Sequence, residues 1–414
     1  MSKRLKNKGW IVTFAGVGIN LALGILYTWS IFKGEIIKSI EAGDGKFTWD
    51  MASVNDPYAV ACIVFAFSMI LSGRVQDKFG PKLTALIGGV LVGVGMIWVS
   101  QTTGYVSWVV GFGVLTGMGI GFGYAAATPP ALKWFPASKT GLIAGLVVSG
   151  FGLASVYIAP LAKYLIGVWG LQGTMRFFGI AFLLMLGLLA LFLSNPPAGY
   201  VPEGATASKK RTKGSSNEYD ASHMMKQPTF WILWAIYFIG AGAGLMVIGS
   251  VAGMAKASMG EMAFLVVATM AIGNAGGRIV AGILSDKIGR QATLAIMFGF
   301  QALLMFIAIP VVGAEHTSAP LLVLLATLIG FNYGTNLSLF PSFAKDLWGL
   351  KNFGVNYGIL FTAWGVGGFV LSRFSQMMKA STGSYSFSFM TAGILLIVGI
   401  FLIFAVGRKS TASH

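Results

Sequence analysis

The sequence predicts an all-α membrane protein of twelve transmembrane helices arranged as two six-helix bundles. Three observations carry that expectation: an apolar composition, a regular recurrence of membrane-length apolar runs, and an internal duplication. Of 414 residues, 56% are hydrophobic and 10% are charged, and the mean hydropathy is +0.77. Soluble domains carry about 25% charged residues, so most of this surface must face lipid. Glycine, at 57 residues, suits close helix–helix approach in a bilayer.

Runs long enough to cross the hydrocarbon core fall near 10–32, 54–74, 83–101, 105–127, 141–166, 176–194, 229–254, 262–284, 292–313, 319–344, 354–378 and 385–406. Lys3, Arg4, Lys6 and Lys8 precede the first run as a signal peptide's basic segment would. The run from Ile11 to Phe32 is nevertheless as long as a full span and has no small-residue cleavage site before a soluble domain, so it reads as the first transmembrane helix. The longest polar interruption, Asn195 to Pro228, carries Lys209, Lys210, Arg211, Lys213 and Ser215. It divides the chain into an N-terminal bundle (1–194), a cytoplasmic linker (195–228) and a C-terminal bundle (229–414).

Charge sets the expected orientation. Twenty of the 29 Lys and Arg fall on the side that holds both termini and the linker, and eight on the other. The positive-inside rule makes the richer side cytoplasmic, in the plasma (inner) membrane. The net charge of +16 is thus spread over short loops between apolar runs, which is unlike the basic face of a nucleic-acid-binding domain. The one cysteine, Cys62, excludes a disulfide framework and a cysteine-based metal site. His223, His316 and His414 all lie outside the spans, and there is no acid dyad, metal constellation or nucleotide loop. An enzyme is therefore not expected, nor any cofactor.

Between spans 2 and 3 the chain reads Gly73-Arg74-Val75-Gln76-Asp77-Lys78-Phe79-Gly80, and between spans 8 and 9 Gly282-Ile283-Leu284-Ser285-Asp286-Lys287-Ile288-Gly289. Both fit G-x-x-x-D-K-x-G, offset by 209 residues. A second echo sets Gly141-Leu142-Ile143-Ala144-Gly145 in span 5 against Gly354-Val355-Asn356-Tyr357-Gly358 in span 11. Two echoes at equivalent places imply a parallel duplication about the membrane normal. The paired loops resemble the cytoplasmic signature of the major facilitator superfamily. Gly24-Ile25-Leu26-Tyr27-Thr28-Trp29-Ser30, Lys133-Trp134-Phe135-Pro136 and Ser149-Gly150-Phe151-Gly152 narrow the resemblance to the oxalate:formate antiporter family and the related monocarboxylate transporters. That resemblance covers essentially the whole chain. It implies a carrier working by alternating access, with the paired loops as conformational switches.

One charge lies inside a span. Arg278, in span 8, has no Asp or Glu in the central part of any span to pair with; Asp56, Glu261 and Asp286 are boundary residues. A mid-membrane Arg costs about 2.5–3.5 kcal/mol on insertion scales, and its planar fork matches a carboxylate. In the families resembled, the Arg of this helix is the partner of the substrate carboxylate. Asn274 stands one turn earlier on the same face. The resemblance places Leu26, Tyr27, Tyr124, Tyr333, Phe361 and Trp364 around the same cavity. The glycines of Gly240–Gly244 in span 7 are expected to pack.

Two departures shape the expected substrate. Trp364 stands where the oxalate carrier resembled here has a Lys for a second carboxylate, which favours a small monoanion. Asn274 and Leu26 stand where animal monocarboxylate transporters have an Asp and a Lys, so no acid is marked out to carry a proton. The expected partners are therefore a small monocarboxylate of the lactate or pyruvate type, a proton and the lipid bilayer, with the chain working as a monomer. Carboxylate exchange of the oxalate:formate type is the alternative.

Overall fold

The computed structural model describes residues 7–197, 199–202, 218–260, 263–313 and 318–411. The basic run at 209–213, Ser215, Glu261, His316 and His414 lie outside the described residues. The chain is helical throughout, with no strand among the described residues.

α1 (Gly9–Leu23) unwinds into a 3-10 turn at Gly24–Thr28 and resumes as α2 (Trp29–Ala42). The chain stays helical ten residues past the expected end of span 1, because Phe32 and Ile36 continue its buried face. α3 (Asp56–Phe79) and α4 (Pro81–Val99) follow, each with a proline in its first turn, where the missing N–H is no loss. The short α5 (Tyr105–Trp108) passes through a π-helical stretch, Val109–Thr116, into α6 (Gly117–Lys133). α7 (Thr140–Ala190) ends the first half. The second half comprises the short α8 (Ala221–Lys226), α9 (Pro228–Met259), α10 (Ala263–Ile288), α11 (Arg290–Gly313), α12 (Ala319–Trp348), α13 (Phe353–Thr382) and α14 (Ser386–Thr411).

Eleven stretches of the described residues are long and apolar enough to cross a membrane, and one of them, Ala137–Ala190, contains all of α7. At about 1.5 Å per residue, the 51 residues of α7 would run to roughly 77 Å, more than twice the hydrocarbon thickness. The helix instead breaks at Gly170, whose φ of 68° and ψ of 178° lie outside the helical region and favour glycine. Packing shows that the chain doubles back there. Val147 lies against Gly16 of α1 and Leu189 against Gly18, so two points 42 residues apart in sequence stand at one level. α7 therefore supplies two crossings, making twelve.

The halves meet chiefly through two helix pairs, α3 with α13 and α7 with α10. Both are lined by small residues that bring backbones together, and both converge toward the end of the molecule that carries the G-x-x-x-D-K-x-G loops. The span 7 glycines do pack: Gly242 meets the Gly367 backbone and Gly244 the ring of Tyr333.

Candidate functional site

At the loop end the halves are closed by two matching contacts. Asp77, at the end of α3, accepts hydrogen bonds from the backbone N–H groups of Gly354 and Val355 at the start of α13, both 2.9 Å. Asp286, at the end of α10, accepts from Gly141 and Leu142 at the start of α7, at 2.8 and 2.9 Å. Each carboxylate thus satisfies two orphan donors and faces the positive end of a helix in the opposite half. The glycines of the motif divide two tasks. A Cβ on Gly73 would overlap the backbone of Gly354, and one on Gly282 the backbone of Gly141. Gly80 and Gly289 take φ values of 84° and 92°, which end α3 and α10 in a tight turn. Lys78 and Lys287 are exposed.

The second contact is reinforced. Arg290 donates to Asp286 at 2.6 Å, to Ser285 at 2.6 Å and to Asp346 at 2.9 Å, and Lys345 donates to the Thr140 hydroxyl at 2.5 Å. Sequence reading found the Asp77 and Asp286 loops and the Gly141 and Gly354 segments as separate echoes. The structure joins them, loop of one half to helix start of the other.

Above these contacts the close packing continues for several turns. Gly358 meets Met69 and Gly365 meets Ala66 along α3 and α13, while Gly145 meets the backbone of Arg278 along α7 and α10. The pairs then part around a cavity of about 500 Å³. Its wall includes Ser30, Lys33, Asn55, Asp56, Arg373 and Gln376, residues in the parts of their helices remote from the closed loops. The cavity therefore opens away from the Asp77 and Asp286 contacts.

Four expected residues border this cavity: Leu26, Tyr27, Asn274 and Trp364. The other four lie behind them, with Arg278 and Tyr333 fully buried, Phe361 at 1% and Tyr124 at 2% exposure. Arg278 sits one side chain beneath the wall. Its Nε donates to Asn274 Oδ1 at 3.0 Å and its Nη1 donates to the Val148 carbonyl of α7, a contact between halves. Its Nη2 has no hydrogen-bond partner among the described residues. Tyr27, Tyr124, Tyr237 and Tyr333 lie within electrostatic reach of the guanidinium. The Tyr27 and Tyr333 hydroxyls bond across the halves at 2.8 Å, and the Trp364 indole N–H donates to Tyr333 at 2.8 Å.

Below this layer, rings from both halves fill the path to the closed end. Phe65 stands 5.2 Å from Trp364 and 5.1 Å from Phe361, and Tyr124 stands 5.4 Å from Phe361 and 5.7 Å from Phe151, between ring centroids. Sequence reading passed over Phe65 and over the wall residues Tyr58, Lys33 and Arg373. An aromatic inside an apolar span gives no signal separate from packing. Lys33 and Arg373 counted only as loop charges.

A duplicated bundle, closed at one end by paired acidic loops and open at the other onto a midplane cavity, is the architecture of a carrier. The family profile described as Major Facilitator Superfamily matches residues 9–372 and 247–413. The chain belongs to the major facilitator superfamily.

Within that superfamily the chain is 25% identical over 409 residues to the oxalate:formate antiporter of Oxalobacter formigenes, covering 97% of this chain and 91% of that one. It is 23% identical over 414 residues to human monocarboxylate transporter 11, covering 97% and 83%. Among solved structures, the proton:xylose symporter XylE superposes with a TM-score of 0.71 at 15% identity, covering 97% of this chain and 96% of that one. This major facilitator protein is thus a multi-pass membrane transporter with carboxylate carriers among its relatives.

Proposed function

We propose that the protein carries a small monocarboxylate, of the lactate or pyruvate type, across the plasma membrane with both termini in the cytoplasm. The observation that carries this reading is Arg278. It is a fully buried guanidinium with one nitrogen unpartnered, and no described carboxylate pairs with it. A buried charge is strongly disfavoured until an opposite charge reaches it. A monocarboxylate supplies that charge, and its apolar remainder fits the aromatic surround of Tyr27 and Trp364.

The site also suggests how binding drives rocking. A carboxylate can be gripped end-on by Nη2 with the second N–H of Nη1, which leaves the Val148 bond in place, or side-on by Nη2 with Nε, which displaces Asn274. With its charge neutralised, Arg278 can be enclosed, and the halves rock about the midplane.

Proton symport is the coupling this reading favours. A lone monoanion moving inward works against about 2.3 kcal/mol per 100 mV, and one co-transported proton makes the cycle electroneutral. Asn274 does not titrate, so the proton would travel with the substrate through hydroxyls such as those of Tyr27 and Tyr333. One observation favours carboxylate exchange as the second reading. Among described residues, Asp56 near the mouth is the one acid on the cavity wall.

The site assignment is tested with Arg278→Ala and Arg278→Lys in proteoliposomes. Losing a charge-assisted partner costs roughly 2–5 kcal/mol, about thirtyfold or more in affinity. Arg278→Ala should abolish uptake, and Arg278→Lys should be badly impaired because an ammonium cannot reproduce the fork. Near wild-type affinity and rate in Arg278→Ala would refute the assignment.

A further inference from the structure

Two cations on the cavity wall have no role in the site described above. Lys33 belongs to α2 in the first half and Arg373 to α13 in the second. Each continues a face that begins at the cavity floor. In the first half that face runs from Tyr27 in the 3-10 turn to Ser30 and Lys33 of α2, and on α13 it runs Trp364, Gly368, Ser372 with Arg373, Gln376. At about 1.5 Å per residue, Lys33 stands roughly 9 Å along the helix from Tyr27, and Arg373 roughly 14 Å from Trp364. The two charges thus flank the mouth from opposite halves, well above Arg278.

Their lack of partners is specific. At the same end of the molecule Lys38 pairs with Glu35 at 2.6 Å and Lys46 with Asp44 at 3.7 Å. The nearby Asp56 carboxylate accepts the Tyr105 hydroxyl at 2.6 Å. Among the described residues neither Lys33 nor Arg373 has a carboxylate within ion-pair distance. Lys33 is half-buried all the same, on a largely apolar wall that focuses its field into the cavity.

We infer that Lys33 and Arg373 form an outer anion site at the cavity mouth, which captures a carboxylate from solution before it passes down to Arg278. This rests on the proposed carriage of a carboxylate. The separation along the helices makes it a second station rather than a second prong. A compact dicarboxylate such as oxalate, with its carboxyl carbons bonded to each other, cannot occupy both levels. The outer site therefore raises the loading rate without admitting dianions at the floor. Set at the mouth, with Arg373 exposed and Lys33 half-buried, it acts over a distance set by the ionic strength, whereas the buried Arg278 is screened little.

The test is initial-rate uptake of labelled lactate into proteoliposomes at about 10 mM and about 1 M inert salt, where the screening length falls from about 30 Å to about 3 Å. The proteins compared are wild type, Lys33→Met/Arg373→Gln and the charge-preserving Lys33→Arg/Arg373→Lys. The neutral pair should raise KM about tenfold at low salt, leave the maximal rate unchanged and lose most of the salt dependence of KM. The charge-preserving pair should behave as wild type, which separates charge from folding. An unchanged KM and salt response in the neutral pair, with wild type active, would overturn the outer site alone. A fall in maximal rate with KM unchanged would overturn it too. A wild-type protein that moves no carboxylate would overturn both this inference and the transport reading beneath it.

Discussion

At the scale of single residues, Arg278 was legible because its chemistry contradicts its surroundings. A guanidinium in an apolar run without a matching acid demands an explanation that a phenylalanine in the same run does not. Its neighbours were legible only through family resemblance, and the structure sorts them. Tyr27 and Trp364 reach the cavity, whereas Tyr124, Tyr333 and Phe361 stand behind it as support. Trp364 also bears on selectivity. Its indole N–H is committed to Tyr333, so it offers no charge to a second carboxylate. A dianion facing Arg278 alone keeps one charge uncompensated, at several kcal/mol. Pyruvate should therefore compete strongly against lactate uptake and oxalate weakly. Trp364→Lys should weaken monoanion transport and improve competition by oxalate. Equal inhibition by oxalate and pyruvate in the wild type would contradict this assignment and favour exchange.

At the scale of helices, apolar run length located the crossings, but it could not reveal the unwound turn at Gly24–Thr28 or the π-helical stretch at Val109–Thr116. Those depend on which neighbour presses against which backbone. A Cβ at Gly24, for example, would meet the Phe151 carbonyl at 2.6 Å. The acidic loops are a similar case: spacing exposed the repeat, and only packing identified the partners. Their energetics are now open to test. Asn in place of Asp77 or Asp286 removes the charge and one of two acceptors. At about 1.5–3 kcal/mol for a hydrogen bond to a charged group, each change should shift the balance between the two facing states by roughly tenfold or more. The native thiol of Cys62, half-buried on the cavity wall, reports that balance. Asp77→Asn and Asp286→Asn should each slow its modification by a reagent applied on the cavity's open side, and the double variant should slow it further. Unchanged labelling in all three would mean that the loops do not hold the closed end shut.

At the scale of the whole molecule, composition alone established a membrane protein, and the duplication established a carrier architecture. The facing of the cavity required the structure, since one sequence serves every state of the cycle. If the positive-inside rule sets the orientation proposed above, the closed loops face the cytoplasm and the cavity should open outward. A membrane-impermeant thiol reagent should then reach a cysteine introduced as Ser318→Cys from outside, and one introduced as Ser215→Cys only from within; reversed labelling would invert the orientation. The central claim, a monocarboxylate carrier coupled to protons, is tested most directly by uptake of labelled lactate into proteoliposomes with and without an imposed pH gradient. The account predicts saturable uptake that rises with external acidification, collapses with a protonophore and responds little to membrane potential at fixed pH. Uptake indifferent to the pH gradient, yet accelerated when the vesicles are preloaded with another carboxylate, would contradict symport and establish exchange in its place.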